Sequence, residues 1–194
     1  MNASQPAKPL DPQTLLHPAT TEERSSGGTG MEIHWGISNS PFGRLFIART
    51  PRGISHLGFL GHDSSEPLQE LKADWPNAST MRDDAMATEI SSEIFSDSPN
   101  QIRLHVKGSD FQITVWRALI GIPSGSRSTY SQIARQLGKP GAARAVGNAV
   151  SKNRIAFLIP CHRIVCQSGE IGGFRWGTAK KLLMIQSESA LSKQ

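Results

Sequence analysis

A mixed α/β chain in two unlike parts is expected from this sequence, on three grounds. Residues 31–61 carry three short apolar or alternating runs separated by turn signals. Residues 109–150 carry apolar positions at helical spacing, with capping residues and glycine turns between them. The halves also differ in charge. Residues 1–100 hold 7 Lys/Arg against 13 Asp/Glu, a net −6, and residues 101–194 hold 14 against 3, a net +11. At 194 residues and 37% hydrophobic content the chain is a globular protein of one large domain or two small ones.

The first thirty residues are polar and rich in Pro, Ser, Thr and Gly, with one apolar patch at Leu15–Leu16, and read as a flexible tail or linker. They hold no apolar run of signal-peptide length, so the cytoplasm is the expected compartment, the nucleoid if the source is bacterial. Met31–Ile37 alternates apolar and polar residues and is expected as a strand. Ser40–Gly43 marks a turn, Arg44–Ala48 a second strand, Arg52-Gly53 another turn and Ile54–Leu60 a third strand, together an antiparallel meander. Residues 65–75 and 85–95 read as helices, and Gln101–Lys107 alternates like a further strand.

The second part opens on a helix capped by Ser109 or Asp110, with Phe111, Val115, Trp116, Leu119 and Ile120 on one face. Thr129–Leu137 is a short helix, Gly138–Gly141 a turn, and Ala142–Val150 a second short helix rich in small residues. Helix, glycine turn, helix fits a DNA-binding helix-turn-helix and also a plain helical hairpin; the basic charge favours the former, because nucleic acid is the commonest polyanion partner. A solvated basic surface is the other reading of that charge. From Thr178 a last helix runs through Lys180, Lys181, Leu182, Leu183, Ile185 and Glu188.

Two cysteines, Cys161 and Cys166, are too few for a disulfide scaffold. The mostly apolar run Asn153–Pro160 ends in proline directly before Cys161-His162-Arg163. A buried run of this kind can carry a structural cysteine, whereas a neighbouring histidine and arginine favour the thiolate and a reactive one. Adjacent side chains of a strand point to opposite faces, so a water would have to join Cys161 to His162. Zinc wants four ligands in paired sets, and Cys161, His162 and Cys166 find no second pair; no metal or other cofactor is expected, and Cys166 reads as a spectator. The glycine-rich loop Ser168–Gly177 lacks the strand–loop–helix setting of a phosphate cradle and reads as a loop closing over a substrate. No run of eighteen apolar residues occurs, so no membrane-spanning helix or membrane partner is expected.

These residues resemble the O6-alkylguanine-DNA alkyltransferases, the methylated-DNA–protein-cysteine methyltransferases. Ile159-Pro-Cys-His-Arg-Ile-Val165 is similar to their active-site motif and Ala142-Ala-Arg-Ala-Val-Gly147 to their recognition helix. Asn153 stands at the family's distance before the cysteine, and Gly172-Gly-Phe-Arg-Trp-Gly177 resembles their substrate loop. The resemblance runs in order over about residues 108–188. It implies an α/β domain similar to ribonuclease H over 31–107 and a mainly helical domain with a helix-turn-helix over 108–194.

The reaction implied is transfer of an alkyl group from O6 of guanine, and less readily O4 of thymine, to Cys161, which is not regenerated. In that scheme His162 takes the thiol proton through a water, Glu188 holds the imidazole, Asn153 orders the turn and Tyr130 protonates the departing base. Arg144 fills the space of a flipped-out base. Ala142, Ala143 and Gly147 allow close approach in the minor groove, and Ser131 joins the DNA-binding set. Ile164, Phe174, Arg175, Trp176 and Lys181 form the substrate pocket, with Phe174 standing where many members have tyrosine. The implied partner is double-stranded DNA with alkylated bases, with no obligate protein partner. The chain has no N-terminal cysteine, so the zinc of some members is not expected. A damage sensor that binds without transferring is disfavoured by the presence of Cys161. A hydrolase using Cys161, His162 and Glu188 leaves the basic helical pair unexplained.

Overall fold

The computed structural model describes residues 16–61, 65–96 and 101–191. A six-stranded mixed sheet holds β1 (Leu16–Pro18), β2 (Glu32–Ser38), β3 (Leu45–Thr50), β4 (Gly53–Phe59), β5 (Ser79–Arg82) and β6 (Leu104–Val106), in the order β1-β6-β4-β3-β2-β5. The β2–β3–β4 meander is antiparallel, while β1 on β6, β6 on β4 and β5 on β2 are parallel. Three helices belong to this part: α1 (Thr21–Ser25), α2 (Glu66–Asp74) and α3 (Asp84–Ile94). Strand β3 shows why the sheet is covered on both faces. Its alternate residues Leu45 and Ile47 enter the main core, and Phe46 and Ala48 enter a second cluster with Leu71 and Trp75.

The flexible tail expected over residues 1–30 is corrected for 16–30; residues 1–15 lie outside the described residues. Leu16 and Ala19 are buried, and β1 pairs in register with β6 from Leu16↔Leu104 to Pro18↔Val106. Thr20 and Glu23 then form a reciprocal capping box that starts α1. The polar composition misleads here because the segment is held by backbone pairing and caps, neither of which needs apolar side chains. Strand β5 was likewise not expected: its residues are mostly exposed at a sheet edge, where alternation is not required.

The second part is helical. Helix α4 (Asp110–Ile120) is capped by Ser109 in a box with Gln112, and α5 (Tyr130–Gln136) by Thr129 in a box with Gln132. Helix α6 (Ala143–Ser151) packs on both and buries Val146 and Ala149. Trp116 of α4 donates its indole N–H to the Ala149 carbonyl at 3.0 Å. Helix α7 (Thr178–Leu191) closes the chain. None of the described helices is long and apolar enough to cross a membrane.

The parts share one core. Strand β6 pairs with β4 at Ile54, and farther along β4 the chain after α6 takes its place. The Leu57 N–H donates to the Arg154 carbonyl at 2.9 Å, and the Ala156 N–H to the Leu57 carbonyl at 2.7 Å. The apolar run 153–160 is thereby docked on the sheet, and the residues that follow it are fixed from both sides.

Candidate active site

Asn153 organises this segment. It is 1% exposed, and its amide Nδ2 lies 3.1 Å from the Ile155 carbonyl, 3.0 Å from the Ile159 carbonyl and 3.2 Å from Cys161 Sγ. Its Oδ1 accepts from the Ile155 N–H at 2.9 Å. One side chain therefore closes the turn and touches the thiol. Phe157 supports the reversal with φ +64°, an unusual backbone state for a residue with a Cβ. Cys161–Arg163 then form a turn of 3-10 helix, not a strand, because Pro160 fixes the entry and its carbonyl accepts the Arg163 N–H at 3.0 Å.

His162 is fully buried, and its Nε2 is 2.8 Å from Glu188 Oε1. Its ring stacks on Phe157 at 6.1 Å with an interplanar angle of 6°. The other ring nitrogen, Nδ1, is buried without a hydrogen-bond partner among the described residues. Glu188 is 3% exposed and carries more than the imidazole. Arg163 donates from Nε to both carboxylate oxygens at 3.1 Å and from Nη2 at 2.8 Å, and the Gly125 N–H donates at 3.2 Å. Arg163 Nη1 donates to the Ile122 carbonyl at 2.5 Å.

The protonation states follow. Burial pulls the Glu188 carboxyl up, but the His162 and Arg163 bonds outweigh it and hold the pKa down at about 2. His162 is lowered by burial, with Glu188 opposing and the Arg163 and Lys181 charges assisting, so it is neutral at pH 7. The Cys161 thiol is pushed up to about 11 by burial, only partly offset by Asn153 and Lys181. The neighbouring histidine and arginine, which in the sequence favour the thiolate, do not offset burial here, and the thiol rests protonated. Arg163, two residues on, is committed to Glu188 and Ile122, which leaves Asn153 and Lys181 as the side chains that oppose desolvation of the buried sulfur.

Tyr130 reaches the site through a short ladder. Strand β7 (Ser128–Thr129) pairs with β8 (Ile164–Val165), joining the start of α5 to the chain after the thiol. The half-buried Tyr130 hydroxyl is raised by burial and by the two cysteines, which keeps it a proton carrier. Its ring lies against Gly147, where a Cβ would come within 3.8 Å. Ser131, Ala142 and Ala143 are half-buried and Arg144 is exposed. Arg127, Arg135, Lys139 and Lys152 are exposed around the same two helices, and no acid occurs between Asp110 and Glu170.

Ile164 is fully buried. Lys181 is 1% exposed and donates from Nζ to the carbonyls of Ile171 at 2.5 Å and Gly173 at 3.1 Å, fixing the root of the substrate loop. Phe174 packs on Trp176 with centroids 5.2 Å apart. Trp176 stands edge-on to Phe59 at 6.3 Å, and the Arg175 guanidinium bonds Glu70 of α2. Arg175 and Trp176, which the resemblance assigns to the pocket, also touch the N-terminal sheet and its helix. Sequence reasoning missed Arg163 and the Gly125 N–H as partners of Glu188, and Glu70 as the partner of the loop. Only the fold reveals these partners.

A family profile for the DNA-binding domain of 6-O-methylguanine DNA methyltransferase matches residues 110–190. The methylated-DNA–protein-cysteine methyltransferase of Methanosarcina barkeri is 36% identical over 159 residues, covering 80% of this chain and 97% of the relative. The Escherichia coli bifunctional transcriptional activator/DNA repair enzyme Ada is 33% identical over 175 residues, covering 88% of this chain and 49% of that protein, so the chain spans about half of its length. The crystal structure of Mycobacterium tuberculosis O6-methylguanine methyltransferase superimposes with a TM-score of 0.66 at 29% identity, covering 81% of this chain and 93% of the other. The same Mycobacterium tuberculosis protein in complex with DNA gives 0.65 at 30% identity, with the same coverage. On the matched extent and identity, the chain belongs to the methylated-DNA–protein-cysteine methyltransferase family.

Proposed function

We propose that the chain repairs DNA by moving a methyl or other alkyl group from O6 of guanine, or O4 of thymine, to Cys161, once per molecule. The observation that carries this is the continuous line of contacts from Asn153 to Cys161 and, beside it, from His162 to Glu188. A protonated thiol is a poor nucleophile, so its proton must leave as the alkyl carbon arrives. The unpartnered His162 Nδ1 supplies a base for it, reached through a water, and the Glu188 anion stabilises the imidazolium. The new S–C bond forms as the C–O6 bond breaks. The released electron pair stays on guanine, which takes the Tyr130 hydroxyl proton. The phenolate and imidazolium then neutralise each other by proton exchange, leaving a thioether and an intact base.

Reaching O6 in a duplex requires the nucleotide to leave the stack, at a cost of a few kcal/mol. In this reading α5, the turn and α6 act as a helix-turn-helix, with Ala142, Ala143 and Gly147 facing the minor groove. Arg144 fills the gap, and Ser131 contacts the backbone. The exposed arginines and lysines around these helices support it, as does the DNA complex of the Mycobacterium tuberculosis relative. Ile164, Phe174 and Lys181 shape the base pocket. The preceding strands act as the ribonuclease-H-like domain of 31–107, and the reaction takes place in the cytoplasm. The test is intact mass after mixing with a duplex carrying one O6-methylguanine. One added methyl on Cys161, saturating at one per protein and absent in Cys161→Ala, is the expected result. Tight lesion binding with no mass gain would replace the reading with that of a damage sensor.

A further inference from the structure

The loop Gly172–Gly177 has little intrinsic reason to keep one shape. Gly172 and Gly177 take φ of +68° and +96°, and Gly173 adds further freedom. Lys181 fixes its root, but its tip is held from the other half of the molecule. Arg175 bonds Glu70 of α2. Trp176 lies over β4 at Gly58, where a Cβ would stand 2.8 Å from its Nε1.

Glu70 serves a second arginine as well. Arg154 Nη1 is 2.6 Å from Glu70 Oε1, and Arg154 follows Asn153, whose amide holds the Cys161 sulfur. One carboxylate therefore sits between a guanidinium from the substrate loop and one from the active-site turn. The two sides are not equal. Arg154 has Asp74 as another acid, at 3.1 Å, whereas the Arg175 guanidinium has no second acid bonded to it among the described residues and otherwise lies over the Trp176 ring at 6.0 Å. Removing the Glu70 charge leaves two like charges facing each other, and the loop is the side that yields.

We propose that Glu70 is a positioning residue for alkyl transfer: through Arg175 it clamps the substrate loop to the N-terminal sheet, so that the wall carrying Phe174 is in place before a base enters. This rests on the reaction proposed above. The N-terminal part thereby serves the reaction from outside the catalytic segment, and the missing Cβ at Gly58 leaves room for the Trp176 indole against β4.

The test uses the full chain as Glu70→Gln, Arg175→Gln, the double variant and Gly58→Ala. Methyl transfer is followed against duplex concentration, and tryptic cleavage after Arg175 is followed without DNA. Each single charge variant is expected to lower the second-order transfer rate about tenfold, mainly through the concentration needed for half-saturation, with the double variant no worse than either. Gly58→Ala should fall in the same direction with all charges kept. Cleavage after Arg175 should speed up severalfold in Glu70→Gln, while its unfolding midpoint stays near that of the parent. Parent-like transfer and parent-like cleavage in Glu70→Gln would overturn the clamp. If the parent chain itself transfers nothing, the reaction reading fails, and the cleavage rates still decide the clamp.

Discussion

Two clusters of paired arginine and acid side chains flank the active-site turn, and they differ in burial. His162, Arg163 and Glu188 are sealed inside, with each side chain at most 8% exposed. Arg175, Glu70, Arg154 and Asp74 lie at the rim, with side chains 24–28% exposed. The inner cluster fixes protonation states, because a buried charge has no water to fall back on. The rim cluster fixes where a loop sits at little cost in stability, because water can replace any lost partner. Similar ion pairs thus do different work according to the solvent around them.

The largest effect should come from breaking the inner cluster. Glu188→Gln strands Arg163 as a buried unmatched charge and should cost about 3–5 kcal/mol in urea unfolding, near the limit for a domain of this kind. If the variant unfolds within about 1 kcal/mol of the parent, the cluster is wetter than its burial indicates.

The pH profile of stability sharpens the contrast next. Glu188 ionises near 2 in the folded chain against 4.5 ordinarily, so the unfolded chain binds its proton first as pH falls. About 3 kcal/mol, present above pH 4.5, is lost as pH drops through that window. His162 adds to the same acid limb from 6.5 downward, because burial lowers it and the unfolded chain is protonated first. Cys161 acts at the other end: its folded pKa of about 11 lies above the ordinary 9.0, so stability declines as pH rises from 9 to 11. Urea midpoints measured across pH should form a plateau between these limbs. Cys161→Ala should flatten the alkaline side.

The smallest effect belongs to the rim. Glu70→Gln should change unfolding free energy by less than about 1 kcal/mol even though it slows transfer. A loss as large as that of Glu188→Gln would erase the distinction between the clusters.

The residues proposed to do chemistry were legible where identity and order along the chain suffice. Cys161, His162, Asn153 and Glu188 were named from a motif and its spacing, and the structure places Asn153 on the thiol and Glu188 on the imidazole. Helices α4 and α5 were legible from caps and apolar spacing, because both are local properties. Illegible features depended on distant partners. Strand β1 exists because β6 supplies its hydrogen bonds, although the Thr20–Glu23 box was a local signal that could have been read. The protonated resting state of Cys161 was not legible from its neighbours in sequence, because the 3-10 turn sends Arg163 to Glu188 and burial decides the rest. Arg175 was assigned to the pocket by position, and only the packing of α2 against the loop shows Glu70 holding it.

The raised thiol bears on shelf life. With its pKa pushed up to about 11 by burial, the Cys161 thiol is held protonated at pH 7 in the resting chain. If the proposed single transfer holds, an acceptor that stood as free thiolate would be open to any passing peroxide or small electrophile. Under the same proposal, a sulfur kept protonated until a base and its proton acceptor meet is spared for the lesion.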